Sequence, residues 1–301
     1  MQTIQLGWQP AAGLSLVLAG AAVAGARFAP RLGRTLRPYL RESSIVAGLY
    51  ALWQYAGSLS TASGTGAFER GRWILRFEHG WLPSEKDAQQ LIIHSELLTR
   101  GANWFYAAMH FSMLGAMLLW LFARHRSHYP RVRNVLVALT ASCLIIQFVP
   151  VAPPRLLAGA GFVDTAARYG ESVYQLSGIT VDQLSAMPSV HVGWSLLVAW
   201  AVLTASPSRH RWWIGLHPLI TTLVVVATAN HYWLDGIVAA GLLLASIAVV
   251  TAAERVSGRL VAALRMNDGN PGRRRFAHLY KGSWRGVEAD DAGDELIRSQ
   301  G

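Results

Sequence analysis

Two short stretches hold residues whose types and spacing suit phosphoryl chemistry. Met187-Pro188-Ser189-Val190-His191 stands where a polar loop turns into a long apolar run. Pro188 suits the first turn of a helix, where a missing N–H is no loss. Ser189 and His191 then fall on that turn, beside backbone N–H groups with no partner inside the helix. A helix start of this kind favours an anion such as a phosphate. Farther on, His231-Tyr232-Trp233-Leu234-Asp235 opens the next apolar run but one. His231 and Asp235 are one helical turn apart and share a face. Pro153-Pro154-Arg155 closes an earlier apolar run.

A phosphoryl group needs fixed positive charge and donors for its oxygens, which Arg155, Ser189 and the N–H groups near it supply. It needs a nucleophile, and His231 can attack phosphorus if Asp235 holds its other ring nitrogen. It needs an acid for the leaving oxygen, a task His191 can perform near neutral pH. The product is a phosphohistidine, later transferred to water or to an alcohol. Two His and a carboxylate are also an accepted zinc set. The Ser and Arg beside them suit an anion rather than a cation, so no metal and no cofactor is expected. His110, with Asn103 and Tyr106 on nearby turns, either lines the site or is a helix–helix hydrogen-bonding group. Asn230, next to His231, and Arg168, in the loop after Arg155, complete the candidate pocket residues.

The elements that must position these residues are membrane spans. Of the 301 residues 52% are hydrophobic and only 15% charged, and mean hydropathy is +0.28. A soluble domain has about 25% charged residues. The fold class is therefore an all-α integral membrane bundle of about seven transmembrane helices. The apolar runs are about 11–29, 44–61, 102–123, 132–149, 189–205, 213–230 and 232–252. The first begins with no positive side chain ahead of it, so it reads as a retained span rather than a cleaved signal. The single cysteine, Cys143, lies inside an apolar run and reads as a packed small residue.

Charge then orients the bundle. The formal charge of +10 raises nucleic acid as a partner. The arginines, however, sit between apolar runs, where they act as topology signals and headgroup contacts, so no nucleic acid is expected. They gather in segments 27–43, 124–133 and 206–212 and after residue 254. With seven spans these all fall on one side, which the positive-inside rule makes cytoplasmic. Arg155, His191, His231 and Asp235 then lie near the extracytoplasmic face of a multi-pass cell-membrane protein. The expected division is an added N-terminal span and basic cytoplasmic loop (1–43), a six-span catalytic core (44–255) and a cytoplasmic, mostly disordered tail (256–301). Within the core, loop 62–101 carries Phe68, Trp73, Phe77 and Trp81 with Arg70, Arg72 and Arg76 between them. That pattern fits a short interfacial helix or a plain aromatic belt. Ser84 with Asp87 predicts an N-cap and a helix over 85–99.

These residues resemble a known family. "MPSVH" at 187–191 and "HYWLD" at 231–235 are similar to the second and third signature motifs of the phosphatidic acid phosphatase type 2 superfamily, and "PPR" at 153–155 stands where the first belongs. The variant pattern, with "NWFYAAMH" at 103–110, most resembles the branch that includes inositol phosphorylceramide synthases. The resemblance covers about residues 100–250. It implies a metal-independent enzyme with His231 as nucleophile, Asp235 as its orienting partner, His191 as acid, and Arg155 and Ser189 on the phosphate. It implies a lipid phosphate substrate and, in the synthase branch, a polyol or lipid acceptor. Three departures stand out. Phe148 occupies the place of a Lys, Val224-Val225 the place of Ser-Arg, and Val190 the place of a Gly. Either Arg168, Lys86 or another loop residue replaces the two lost cations, or the phosphate is held more weakly. A non-catalytic lipid-binding or transport relic is the alternative of another class.

Overall fold

A computed structural model of the chain describes residues 7–28, 30–60, 65–170 and 183–267. Ten α-helices are named among them. α1 (Trp8–Phe28) and α2 (Pro30–Ser60) lead, and α3 (Ala67–Glu78) and α4 (Glu85–Ile93) fold the first long loop. α5 (Glu96–Arg124) and α6 (Tyr129–Gln147) follow, then a single-turn α7 (Thr165–Arg168). α8 (Val190–Ala205), α9 (Leu216–Ala227) and α10 (Trp233–Asn267) complete the bundle. β-Bridge pairing is confined, among the described residues, to two isolated bridges, His79 with Leu82 and Val151 with Ser185.

The all-helical class is as expected. Among the described residues four helices, α1, α5, α6 and α10, are long and apolar enough to cross a membrane. α8 is apolar but has 16 residues, and α9 has 12. At 1.5 Å per residue they measure about 24 and about 18 Å, short of a bilayer core of about 30 Å. α2 is long, yet its first half is the basic stretch expected as a loop. Chain 30–60 is one helix across Pro38, because Arg and Leu are good helix formers whatever their hydropathy. α1 lies on α2 through reciprocal serine bonds, Ser15 Oγ to Ser44 O at 2.8 Å and Ser44 Oγ to Ser15 O at 2.9 Å.

Leu114, Leu121, Val135, Leu139, Leu197, Val198 and Leu243, from α5, α6, α8 and α10, form the main core, with Cys143 packed among them. One end of this bundle is basic. Arg126 donates to Tyr39 Oη (2.9 Å), Arg133 pairs with Glu42, and Arg131 donates to Thr251 Oγ1 (2.9 Å) and lies 3.6 Å from Glu254. α10 rises about 28 Å between Asp235 and Glu254, so the Asp235 end and the basic end are a bilayer thickness apart.

Other boundaries differ from expectation. The helix expected over 85–99 breaks at His94–Ser95, because Ser95 Oγ accepts from Leu98 N (3.3 Å) and starts α5. The aromatic and arginine-rich stretch is helical as α3: Ala67, Gly71, Ile74 and Glu78 are buried, while Phe68, Trp73, Phe77 and nearby Trp81 are exposed. α10 runs on to Asn267, so the first part of the expected tail is helical. The remainder, 268–301, lies outside the described residues, as does 171–182 of the loop before α8.

Candidate active site

Backbone bonds draw the motif-bearing segments together at the end of the bundle opposite the arginines. Val151 N donates to Leu184 O (2.6 Å) and Ala186 N to Val151 O (3.1 Å), which joins the segment before Arg155 to the segment before Ser189. Arg155 N donates to Ala229 O (3.0 Å), and Ser189 N to Asp235 O (3.3 Å). Ala152 N donates to Ala67 O (3.0 Å) and Tyr232 Oη to Ala152 O (2.7 Å), so α3 is tied in as well. Gly71 permits this approach: a Cβ there would sit 2.6 Å from Ala152 O and 2.7 Å from Tyr232 Oη.

Ser189 is fully buried and is the N-cap of α8, its Oγ accepting from Val192 N at 3.3 Å. Pro188 therefore precedes the cap rather than occupying the first turn, since the serine oxygen is the better cap. His191 stays on the first turn. His231 likewise lies outside its helix, because α10 begins at Trp233. The expected side-chain pairing survives this shift. His231 Nδ1 is 3.1 Å from Asp235 Oδ2, which also accepts from Tyr232 N at 2.9 Å and so holds the turn closed. Nδ1 is also 2.7 Å from Ala186 O. A carbonyl can only accept, so Nδ1 carries the hydrogen, and the lone pair of His231 is left on Nε2.

The two imidazoles meet. The ring centroids of His191 and His231 are 5.6 Å apart. Tyr106 stacks on His191 at 4.2 Å with an interplanar angle of 20°, and His110 meets His191 edge-on, also at 4.2 Å. Tyr106 is 6.3 Å from His231, and its carbonyl accepts from His110 Nδ1 at 3.1 Å. Tyr106 and His110 thus wall the histidine pair. Asn103 does not. Its amide exchanges bonds with Thr165, accepting from Oγ1 at 2.9 Å and donating to the carbonyl at 3.2 Å, which pins α7 to α5.

Arg155 is nearly buried in a short 3₁₀ turn, Pro154–Leu156. Its Nε donates to Asn230 Oδ1 (2.9 Å) and its Nη1 to Asp164 Oδ2 (2.7 Å). Asn230 Nδ2 in turn donates to Thr228 Oγ1 at 2.9 Å. Asn230 is thus a holder of the guanidinium. The positions of the two lost cations are apolar: Val225 packs with Val192 and Val226 in a cluster that Tyr106 and Trp233 border, and Phe148 is exposed. Arg168 is exposed, with its guanidinium over the Tyr169 ring at 5.6 Å. Lys86 lies against the loop next to Asp164, its Nζ where a Cβ on Gly161 would come within 2.6 Å.

Sequence reasoning missed Ala186 O, Asp164 and the bond from Leu234 N to a side-chain oxygen of Glu78. Asp164 could have been found as the N-cap of α7, where its Oδ1 accepts from Ala167 N at 3.0 Å. Ala186 O left no signal, since every residue has a carbonyl. Among the described residues no three His, Cys, Asp or Glu side chains converge as a metal site. Comparison with known proteins gives one family match: the model described as the PAP2 superfamily fits residues 72–249, from α3 well into α10. No curated protein and no solved structure matches the chain.

Proposed function

The chain belongs to the PAP2 superfamily, whose members are phosphatases and phosphotransferases, and on that footing we propose that it moves the phosphoryl group of a membrane lipid through a phosphohistidine at His231. The observation that carries this reading is the pair of rings 5.6 Å apart, one of which has its Nδ1 held by Ala186 O and Asp235 Oδ2. The lone pair on His231 Nε2 attacks phosphorus and forms the N–P bond. The bond from phosphorus to the leaving oxygen breaks, and His191 gives that oxygen a proton. A water or alcohol hydroxyl then attacks phosphorus, passes its proton to His191 and breaks the N–P bond. Arg155 and the Ser189 turn bind the phosphoryl oxygens. Tyr106 and His110 line the pocket.

The membrane arrangement belongs to the same proposal. Seven crossings, at α1, α2, α5, α6, α10 and the shorter α8 and α9, which the 3₁₀ segment Arg209–Gly215 joins and lengthens, put the arginine-rich end in the cytoplasm and the histidines beneath the outer headgroups. Residues 44–255 form the six-span core and the C-terminal tail is cytoplasmic.

Charge favours one form of the reaction. Arg155 shares its charge with Asp164, and Val225 and Phe148 offer none. A phosphomonoester carries about −1.5 to −2 at pH 7, whereas a diester carries a single charge. The pocket therefore suits a phosphodiester lipid, and with it transfer of a phospho-headgroup to a polyol or lipid hydroxyl, as in the inositol phosphorylceramide synthase-like branch. Hydrolysis is the same chemistry with water as acceptor.

The test is a panel of lipid phosphomonoesters and phosphodiesters, with and without inositol-lipid and glycerol-lipid acceptors, on protein in lipid nanodiscs. Turnover should vanish in His231→Ala, and acid-labile label from a labelled phosphate should be trapped on His231 of the wild-type protein. Undiminished turnover in His231→Ala refutes the mechanism. Lipid binding with neither label nor turnover identifies a non-catalytic relic.

A further inference from the structure

The first turn of α10 is gripped from outside by the hairpin of α3 and α4. Trp233 Nε1 donates to Pro83 O at 2.8 Å, and Leu234 N donates to Glu78 Oε1. Glu78 is the last residue of α3 and Glu85 the first of α4, and both are buried. The two carboxyls are close enough to act on each other across the hairpin. Glu78 Oε2 and Glu85 Oε1 are buried and have no hydrogen-bond partner among the described residues. Were both groups ionised, two buried acceptors would face each other with like charge, an arrangement that proteins resolve by keeping one proton on the pair. A hydrogen on Glu78 Oε2, donated to Glu85, satisfies both oxygens and leaves Oε1 free to accept from Leu234 N.

The surroundings support that protonation. Burial first, and then the bond to Glu85, push the Glu78 carboxyl up to about 9, against the opposite pull of the Leu234 N–H. The charged side chains acting on it are Glu85 from α4 and Asp235 from α10, both acids, and Tyr232 also faces the pair. Loss of the proton places a second negative charge beside these groups and drives α3 from α4.

We propose that Glu78 is a positioning residue for the nucleophile: protonated on Oε2 and bonded to Glu85, it holds the Leu234 N–H and so fixes the turn in which Asp235 grips His231. This rests on the phosphotransfer reading above. The sign of its pH dependence follows from the direction of the shift. The raised value means that the grip is complete in acid and is lost as pH rises through about 9.

The experiment uses the full chain in lipid nanodiscs with the lipid phosphate that the wild type turns over. It reads kcat and KM against pH, together with amide hydrogen exchange across residues 229–240. Wild-type kcat should fall near the alkaline value above. Glu78→Gln keeps an acceptor for Leu234 and a donor for Glu85 and has no proton to lose. It should therefore keep kcat at neutral pH while its alkaline fall moves up or disappears. Glu78→Ala should lose about 10–100-fold in kcat, the range for outer partners of a site, with KM little changed, and its 229–240 amides should exchange faster. An unchanged alkaline fall in Glu78→Gln, or unchanged exchange in Glu78→Ala, overturns the proposal. Exchange needs no turnover. A wild type inactive on every lipid phosphate, with faster exchange in Glu78→Ala, sinks the phosphotransfer reading and leaves the grip standing. Turnover that needs His231 but ignores Glu78→Ala does the reverse.

Discussion

Asp235→Asn separates two tasks that one carboxylate usually performs at once. Where an Asp alone orients a catalytic imidazole, the amide costs roughly 10⁴ in kcat, because it allows the wrong tautomer. Here His231 Nδ1 has a second acceptor, Ala186 O at 2.7 Å, closer than Asp235 Oδ2 at 3.1 Å. The Nδ1–H tautomer therefore survives the substitution. What disappears is the negative charge beside a ring that becomes cationic when Nε2 takes the phosphoryl group. A hydrogen bond to a charged partner is worth about 1.5–3 kcal/mol and a neutral one about 0.5–1.5 kcal/mol. The difference, about 1–1.5 kcal/mol, predicts a fall in kcat of about 5–13-fold. The amide also places an N–H₂ where Asp235 Oδ1 now lies buried without a partner among the described residues. One unpartnered polar atom replaces another, so the melting temperature should change little. The assay is kcat at saturating lipid phosphate in nanodiscs, beside a melting curve of the same sample. A loss near 10⁴ with the fold intact would show that Ala186 O does not hold the tautomer. An unchanged kcat would show that no positive charge develops on His231.

Two further substitutions probe the frame and the anion pocket. Gly71→Ala puts a methyl 2.6 Å from a backbone oxygen and 2.7 Å from Tyr232 Oη, so it should destabilise by about 1–3 kcal/mol and lower kcat through the neighbouring His231. An unaltered melting temperature would mean that α3 does not press on that turn. Arg155→Lys keeps the charge but cannot serve both Asn230 Oδ1 and Asp164 Oδ2 from a planar fork. It should reduce kcat/KM by about tenfold or more, chiefly through KM, and a wild-type KM would argue that the phosphate sits elsewhere.

Legibility followed the range of the interaction. Ser189 could be read as part of a helix start because it stands where a polar loop meets an apolar run, though the structure makes it the cap and not a first-turn residue, and His231 with Asp235 because their spacing is one turn. Both survived errors in the helix boundaries, since His231 lies ahead of α10 and still reaches Asp235. Hydropathy misjudged 30–43 and 256–267, which it treats as loop and tail because they are charged. The backbone there continues as helix, since Arg, Leu and Ala satisfy a helix in or out of lipid. Glu78 on Leu234 joins segments far apart in the chain, and no local pattern encodes it. Asp164 was legible only as an N-cap and not as the partner of Arg155 nine residues away, and a main-chain acceptor such as Ala186 O has no residue type to betray it.

The same distinction between side chain and main chain explains how two cations can be absent while the site keeps its shape. The turn that presents His231 is built on the carbonyl of Val225, which accepts from Asn230 N and from His231 N, each at 3.1 Å. Its side chain points instead into the apolar cluster with Val192 and Val226. Exchanging an arginine for valine at this position therefore changes the charge and polarity of the pocket wall while leaving intact the bonds that aim the histidine. The links Val151–Leu184, Ala186–Val151, Arg155–Ala229 and Ser189–Asp235 are all main chain to main chain and are equally indifferent to side-chain identity. Under the proposed mechanism, a frame of that kind would let the charge of the bound phosphate be retuned independently of the geometry of attack. On this logic, restoring a cation by Val225→Arg should raise preference for a doubly charged phosphate over a singly charged one more than it changes the fate of His231. That follows because the carbonyl holding the turn is still there.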